Sequence, residues 1–542
     1  MLRTFSWSLL ACAGVFTFGC GGASTPAPDP VPPPVLPTGI IVTYHNDNQR
    51  TGQNVGETLL TPENVNSTGF GKVFSYPVDG AIYGEPLYVA NLQIQGVRNV
   101  VYVVTQHDSV YAFDADNKAP GLLWHVGFVD PTANITSVPC ADEPSACTFM
   151  GTEIGISSTP VIDIATRTLY VCAFTKENGS YVHRLHALDL ATGSEKFGGP
   201  VPIQGSTTGS GDGTDGTNIA FNPHNHLQRS ALLLANGVVY LAFASFDDTP
   251  PYHGWLFGYD AQTLQQQSIF NATPNGADGG IWQSGGGPAS DISGNIYIVT
   301  GNGTFDANKG GPDFGDSFLK LTPANGSLPV ASFFTPFNQA ALNSIDLDVG
   351  AGGPLLLPDQ AGSHPHLMMS GGKRGVLCLV DRDNMGGFRV QDDSQIVQSL
   401  TLGKPIFFTP AFWENKVYIG GANDSLRIFP LTGGLLSPAS SSQSASTFGF
   451  PGVTPSVSAN GSQAGIVWVI ENGAFRTGKP AILHAFDAND VSHELYNSKQ
   501  AGARDTLPNG VGFGVPAVAN GKVYVGTISE LDVFGILPPQ TP

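Results

Sequence analysis

Apolar residues along this chain recur in short runs at a period of two, each followed by a turn, a second run and an aspartate. Asn99 to Asp116 (NVVYVVTQHDSVYAFDAD) is the first full copy, and Thr168 to Gly193 (TLYVCAFTKENGSYVHRLHALDLATG) is the second. Further copies run over 237–263, 295–322, 366–386, 416–434, 466–490 and 522–536, which makes eight. Period-two alternation marks half-buried strands. Regular spacing with Gly and Asp turns points to propeller blades or a sandwich, and the spacing favours blades. Residues 71–89 carry one outer and one inner strand ahead of the first full copy, while the last copy stops after Val533 and Phe534. An N-terminal strand that completes the C-terminal blade closes such a ring and removes its exposed edges. The expected fold is therefore all-β, a single eight-bladed β-propeller of four-stranded blades closed by an N-terminal strand.

Composition agrees with this pattern. In 542 residues there are 68 glycines and 41 prolines but only 12% charged residues, so turns are many and amphipathic helices few. The net charge of −19 excludes nucleic acid as a partner, since no basic excess exists to displace counterions from phosphates. It excludes adsorption to an anionic bilayer on the same ground.

The first residues break the pattern. Met1 to Cys20 holds Arg3 and then an apolar stretch, Phe5 to Phe18, shorter than the roughly 20 residues that span a bilayer. It reads as a cleavable export signal. Gly19 before Cys20 fits lipid attachment at Cys20, and an ordinary secretory signal cut nearby is the alternative. Residues 21–39 are rich in Pro, Gly and Ala and lack periodicity, which predicts an extended, semi-rigid tether. The propeller then occupies 40–542. The only expected membrane contact is the lipid, on the periplasmic or cell-surface face of the envelope. Cys140 and Cys147 flank a short loop, and in an oxidising compartment they are expected to form a disulfide. Cys172 and Cys378 lie in apolar strand patterns and are expected to be buried thiols. No CxxCH haem attachment sequence occurs.

ALDLATG (Ala187 to Gly193), AFDAD and LVDRDNMG resemble the Ala-x-Asp-x-x-Thr-Gly signature of pyrroloquinoline quinone (PQQ) repeats. The resemblance covers nearly all of the chain after the tether and implies the propeller of PQQ-dependent alcohol dehydrogenases. In that family a tryptophan after Thr-Gly docks one blade on the next, and Trp124 and Phe197 stand near that place here. Three positions match the family's site. TGN (Thr300 to Asn302) is similar to a segment whose asparagine ligates calcium, which implies that role for Asn302. IDLDVGAGGPLLLPD (Ile345 to Asp359) resembles the segment of the catalytic base and implies Asp346 as that base, beside the calcium. GKRGVLCLVDRDNMG (Gly372 to Gly386) resembles the segment whose lysine bonds the quinone oxygens, which implies Lys373, with Arg374 in place of a neighbouring asparagine, as cofactor contacts.

Three positions depart from the family. No adjacent cysteines form a lid over the quinone. The calcium-binding glutamate falls on Thr249, with Asp247 and Asp248 as near substitutes, and the floor tryptophan falls on Ser290. The matched residues also have plain structural roles: Asn302 in a Gly-Asn-Gly turn, Asp346 and Asp348 as loop caps, Lys373 as a solvated lysine. Glu85, Glu153, His224 and His226 lie near blade entrances and are weaker candidates, and the acidic, Gly-rich Ser210 to Thr217 reads as a flexible insertion. Two functions follow. The first is an exported, lipid-anchored binding scaffold for a small molecule or an envelope protein, built on a degenerate quinoprotein site. The second is a divergent dehydrogenase that oxidises an alcohol or sugar with PQQ and calcium, and without haem.

Overall fold

The computed structural model describes residues 39–143 and 150–539; the signal, Cys20, all of the tether before Gly39, and Cys147 lie outside the described residues. Eight antiparallel sheets follow one another along the chain, each built around one sequence repeat. They occupy residues 87–127, 161–202, 233–271, 289–335, 355–401, 411–448, 456–497 and 517–536, and are called blades 1 to 8 in that order. The ring closes as the strand count requires. Phe70–Pro77 pairs antiparallel with Glu530–Ile536 and becomes the outer strand of blade 8. Among the described residues no helix is long and apolar enough to cross a membrane.

The repeat explains how blades are held together. Its aspartate closes a tight turn: Asp189 Oδ1 accepts the amides of Ala191 and Thr192, and Asp260 Oδ1 those of Gln262 and Thr263. The carbonyl after that aspartate then receives a tyrosine from the preceding blade. Tyr102 donates to Leu190 O at 2.8 Å, Tyr170 to Ala261 O at 2.7 Å, and Tyr418 to Ala488 O at 2.8 Å. Trp124 docks blade 1 on blade 2 by donating to Leu190 O at 2.9 Å. Apolar clusters lie between neighbouring sheets, as where Tyr170 and Leu185 of blade 2 meet Phe243 and Trp255 of blade 3. Buried aromatics of this size dominate core energetics.

The sequence pattern does not disclose what fills the channel. Residues 40–57 coil around its inside and bond the innermost strand of every blade. Ile40–Ile41 pairs with blade 1. Ile162 of blade 2 donates its amide to Val42 O, Ser290 of blade 4 to Asn48 O, Leu356 of blade 5 to Gln49 O, Phe412 of blade 6 to Thr51 O and Val457 of blade 7 to Gly52 O. The Asn48 and Asn54 side-chain amides donate to Leu234 O of blade 3 and Val518 O of blade 8. Arg50 is fully buried, and its guanidinium donates to Pro288 O, Leu232 O, Tyr44 O and the Thr43 hydroxyl. Gly52 allows the coil to tighten: its φ is +68°, and a Cβ there would lie 2.7 Å from the His45 ring.

Glu85 belongs to this plug and not to an open channel mouth. It is buried, and its Oε2 accepts the His45 amide at 2.8 Å. Burial raises its carboxyl from 4.5 to about 8, against the opposing His45 hydrogen bond and Arg50 charge. The native state thus holds a proton that the unfolded chain releases above its ordinary pKa. The stability this group contributes is fully present below pH 4.5 and is lost as pH rises to about 8. Glu85→Gln is expected to match the wild type near pH 4.5 and to exceed it by on the order of a few kcal/mol above pH 8. Thermal melts of both proteins across that range check it; parallel curves refute it.

Candidate functional site

Loops between the second and third strands of blades 3, 4 and 5, with the connection from blade 4 to blade 5, meet on one face of the ring. They enclose a cavity of about 400 Å³ whose lining includes Asp247, Asp248, Asn302, Asp346, Asp348 and Lys373. Asn302 follows the strand Ile296–Val299, and Lys373 turns between Leu367–Gly371 and Val376–Asp381. Asp346 and Asp348 follow a short helix, Gln339–Ser344.

The segments touch backbone to side chain, which only small residues permit. A Cβ at Gly301 would sit 2.7 Å from Asp348 Oδ1, and one at Gly372 would sit 1.9 Å from Asp348 O. Asn302 N donates to Asp348 Oδ1 at 2.7 Å, and its side-chain amide donates to Asp346 Oδ1 at 2.9 Å. Lys373 Nζ lies 2.6 Å from Asp348 Oδ2 and also pairs with Asp346. Burial raises the Asp348 carboxyl above the usual range although Lys373 opposes it. Burial lowers the Lys373 ammonium, but its pairing with Asp348 and Asp346 outweighs this and leaves it above its usual value. Asp278, near Asp248, Asp212 and Asp348, is lifted to about 6 by burial and by those charges. Asp248 is fixed by Tyr252, whose hydroxyl donates to Oδ1 at 2.9 Å, and by Ser245.

The site is chemically suited to a hard cation. Asn302 Oδ1 is buried and without a hydrogen-bond partner, beside carboxylates that line the same cavity. Amide and carboxylate oxygens are calcium ligands. Lys373 now occupies the space between two of these carboxylates, and among the described residues no three acidic, His or Cys side chains are already gathered for a metal.

Much of the rest of the lining is aromatic. Trp282 packs edge-on to Phe513 at 5.2 Å and to Phe407 at 6.4 Å, and Tyr83, Phe450 and the buried Arg229 also line the cavity. Trp282 supplies an aromatic face from just ahead of the Gly-Gly-Gly run. Ser290 instead faces the plug, its amide bonded to Asn48 O. A repeated position marks this lining. Tyr83, Arg229, Phe407 and Phe513 each stand three residues before the Pro86, Leu232, Pro410 or Pro516 that leads into an inner strand.

Other expected residues lie elsewhere. Arg374 is outside this cavity and lines a small neighbouring one with Asp393 and Leu342. Glu153 bonds His107 and Ser137, His224 pairs with Glu143, and His226 accepts the Trp255 indole N–H at 3.1 Å. Asp212 of the acidic insertion donates its amide to Gly276 O, which packs that loop beside blade 3. Cys140 is disulfide-bonded, and Met150, beyond the loop that follows it, lines the cavity edge. Cys172 and Cys378 are buried free thiols.

No protein-family model matches the chain, and no curated protein sequence does. Solved structures do. A quinohemoprotein alcohol dehydrogenase, ADHIIG of Pseudomonas putida HK5, aligns at 14% identity with a TM-score of 0.62, covering 93% of this chain and 81% of its own. A europium-containing methanol dehydrogenase aligns at 13% identity with a TM-score of 0.60, covering 92% and 98%. This chain shares their fold. At such identities the likeness extends to architecture alone, so function has to be argued from the cavity.

Proposed function

We propose that the cavity holds a quinone cofactor of the PQQ type together with a calcium-class cation, and that the chain oxidises an alcohol or sugar outside the cytoplasm. One observation carries this reading: Asn302, Asp346, Asp348 and Lys373, from three separate segments, converge in one aromatic-lined cavity with the Asn302 amide oxygen left unpaired. Asn302, Asp248 and Asp348 would hold the cation, and Trp282 and Phe513 would present aromatic faces to the quinone. When bound, the quinone supplies a two-electron acceptor. Asp346, exposed to the cavity and fixed by Asn302 and Lys373, is placed to take a hydroxyl proton. Lys373, held charged by its acidic neighbours, would stabilise negative charge developing nearby. Export rests on the signal-like residues 1–20, with anchoring at Cys20, and is supported by the disulfide at Cys140.

A second reading keeps the cavity but not the chemistry: a binding scaffold for a small molecule or envelope protein. The bridge from Lys373 to both carboxylates favours it, because the acidic pair already has a counter-charge within the chain. Titration of the purified chain with PQQ and calcium, followed by quinone absorbance and by dye reduction with alcohols and aldoses, separates the two. The enzyme reading expects calcium-dependent binding and dye reduction that falls about 100-fold or more in Asp346→Ala. Saturable binding without turnover on any substrate leaves the scaffold. No binding at all removes the enzyme.

A further inference from the structure

The loops around the cavity join the second strand of a blade to the third, or one blade to the next. Turns from first to second strand and from third to fourth therefore lie on the opposite face of the ring. Val97, Ile164 and Ile292 stand at first-to-second turns of blades 1, 2 and 4, and Leu122 and Leu435 at third-to-fourth turns of blades 1 and 6. Leu59 lies beside Gly521, in the first turn of blade 8. These six side chains are 39–77% exposed. Their turns are closed by hydrogen bonds: at Ile292, the most exposed, Asp291 O accepts the Gly294 amide and Asp291 Oδ1 the Asn295 amide at 3.0 Å. Two carboxylates at the blade 1 turns are paired, Asp114 with Arg98, and Asp116 with Lys118 and Lys522. On the cavity face, Phe337 and Ile345 are exposed as well, but they flank one helix, Gln339–Ser344, at a single corner.

The chain itself enters through the face opposite the cavity. Ile40–Ile41 runs antiparallel to Leu87–Gln93, which starts near Tyr83 of the cavity lining, and Gly39 lies beside Ala90. The plug leaves by the same face, where Val55 O accepts the amide of Gly461 in the first turn of blade 7. Cys20 stands 19 residues ahead of Gly39, a stretch that spans at most about 65 Å. A lipid on Cys20 thus brings the ring to a bilayer but leaves it free to turn. Exposed apolar residues taken singly are ordinary. Six on one face, at turns spread from blade 1 round to blade 8, are met together by a flat partner and not by a peptide or a compact patch. We infer that this face rests on a zwitterionic lipid surface, its apolar tips among the headgroups, so that the cavity opens away from the bilayer. The net charge of −19 makes an anionic surface repulsive. A lipid anchor is made stable by a second membrane contact of this kind. Such docking requires lipid attachment at Cys20 and is independent of what the cavity binds.

The test uses the chain purified as the cell processes it and reconstituted with phosphatidylcholine vesicles, some carrying a nitroxide quencher at headgroup depth. Single cysteines for a polarity-sensitive dye are introduced by Val97→Cys, Ile164→Cys and Ile292→Cys, and on the cavity face by Lys309→Cys and Ile528→Cys. Cys172 and Cys378 are buried and do not compete for the dye. Sedimentation with the vesicles reads the anchor, and dye emission reads the face. The labels at 97, 164 and 292 are expected to shift to the blue and to lose emission to the quencher, while those at 309 and 528 do neither. In the double variant Ile164→Ser, Ile292→Ser, the label at 97 should lose its quenching although the chain still sediments. These positions are exposed turn tips, so unchanged melting of each variant shows that the fold is intact. A chain that sediments with all five labels unquenched stands off the bilayer, and the docking face is overturned. Equal quenching on both faces, or quenching at 309 and 528 alone, overturns it too. A chain that does not sediment lacks the anchor, which removes the docking with it. Dye reduction by quinone and substrate is measured separately, so the enzyme reading stands or falls on its own.

Discussion

Deleting residues 40–57 is expected to abolish the stable ring. The deletion strips inner-strand amides at Ile162, Ser290, Leu356, Phe412 and Val457 of their acceptors and removes the Ile40–Ile41 pairing with blade 1. A buried donor left unpaired costs about 1–3 kcal/mol, and a domain has only about 5–15 kcal/mol to lose. Water entering the emptied channel recovers part of this, so the net loss is expected on the order of 5 kcal/mol or more. The milder Arg50→Met tests the same element, because it leaves Pro288 O, Leu232 O and Tyr44 O without a buried donor. Thermal unfolding and hydrogen exchange at the five amides measure both variants. A deletion protein that melts with the wild type while those amides stay protected contradicts the assignment.

Asp316→Ala is expected to loosen the cavity wall more than any change outside its lining. Asp316 is fully buried, and burial, with Asp348 adding to it, lifts its carboxyl to about 8. Its Oδ1 accepts the Val349 amide at 3.0 Å, its own amide donates to Gly301 O at 2.7 Å, and Gln339 Nε2 bridges its Oδ2 to Gly303 O. Asp316, through its backbone amide and its carboxyl, therefore ties the turn that carries Asn302 to the turn that carries Asp348, and the substitution removes the carboxyl half of that tie. Its φ of +49° makes alanine strained as well as too short. The expected loss is about 2–4 kcal/mol. Exchange at the Asn302 and Val349 amides should accelerate at least about tenfold. Asp316→Asn, which tolerates the left-handed backbone and keeps an acceptor for Val349, should recover most of both. A uniform loss of stability with no local change in exchange would make Asp316 an ordinary core residue.

Much of the fold was legible because its information is local. Each repeat states its own strands and aspartate turn, and Tyr102, Tyr170 and Tyr418 recur at the one position that reaches the next blade. Closure by Phe70–Pro77 followed from counting strands. The cavity was legible in part: Asn302, Asp346 and Lys373 do meet, whereas Arg374, next to Lys373 on the same tight turn, lies outside. The aromatic face was missed because register placed it on the wrong side of the glycines, at Ser290 and not Trp282. The plug was missed for a deeper reason. Residues 43–54 (TYHNDNQRTGQN) are polar and aperiodic, so they read as a loop, and their partners are single amides scattered along several hundred residues of chain.

The plug and the closing strand also set the order in which this molecule can be made. Both are near the start of the chain, so both are synthesised first, yet one needs every inner strand and the other needs Glu530–Ile536. Contacts across such separations form slowly, because loop-closure entropy must be lost before they are gained. Blades 1 to 7 can therefore assemble as an open, unlocked arc in which the strand Phe70–Pro77 still lacks its partner, and that state is prone to mispairing. Emergence of the last blade is what converts the arc into a ring, which makes the C-terminal residues the timing element of its folding.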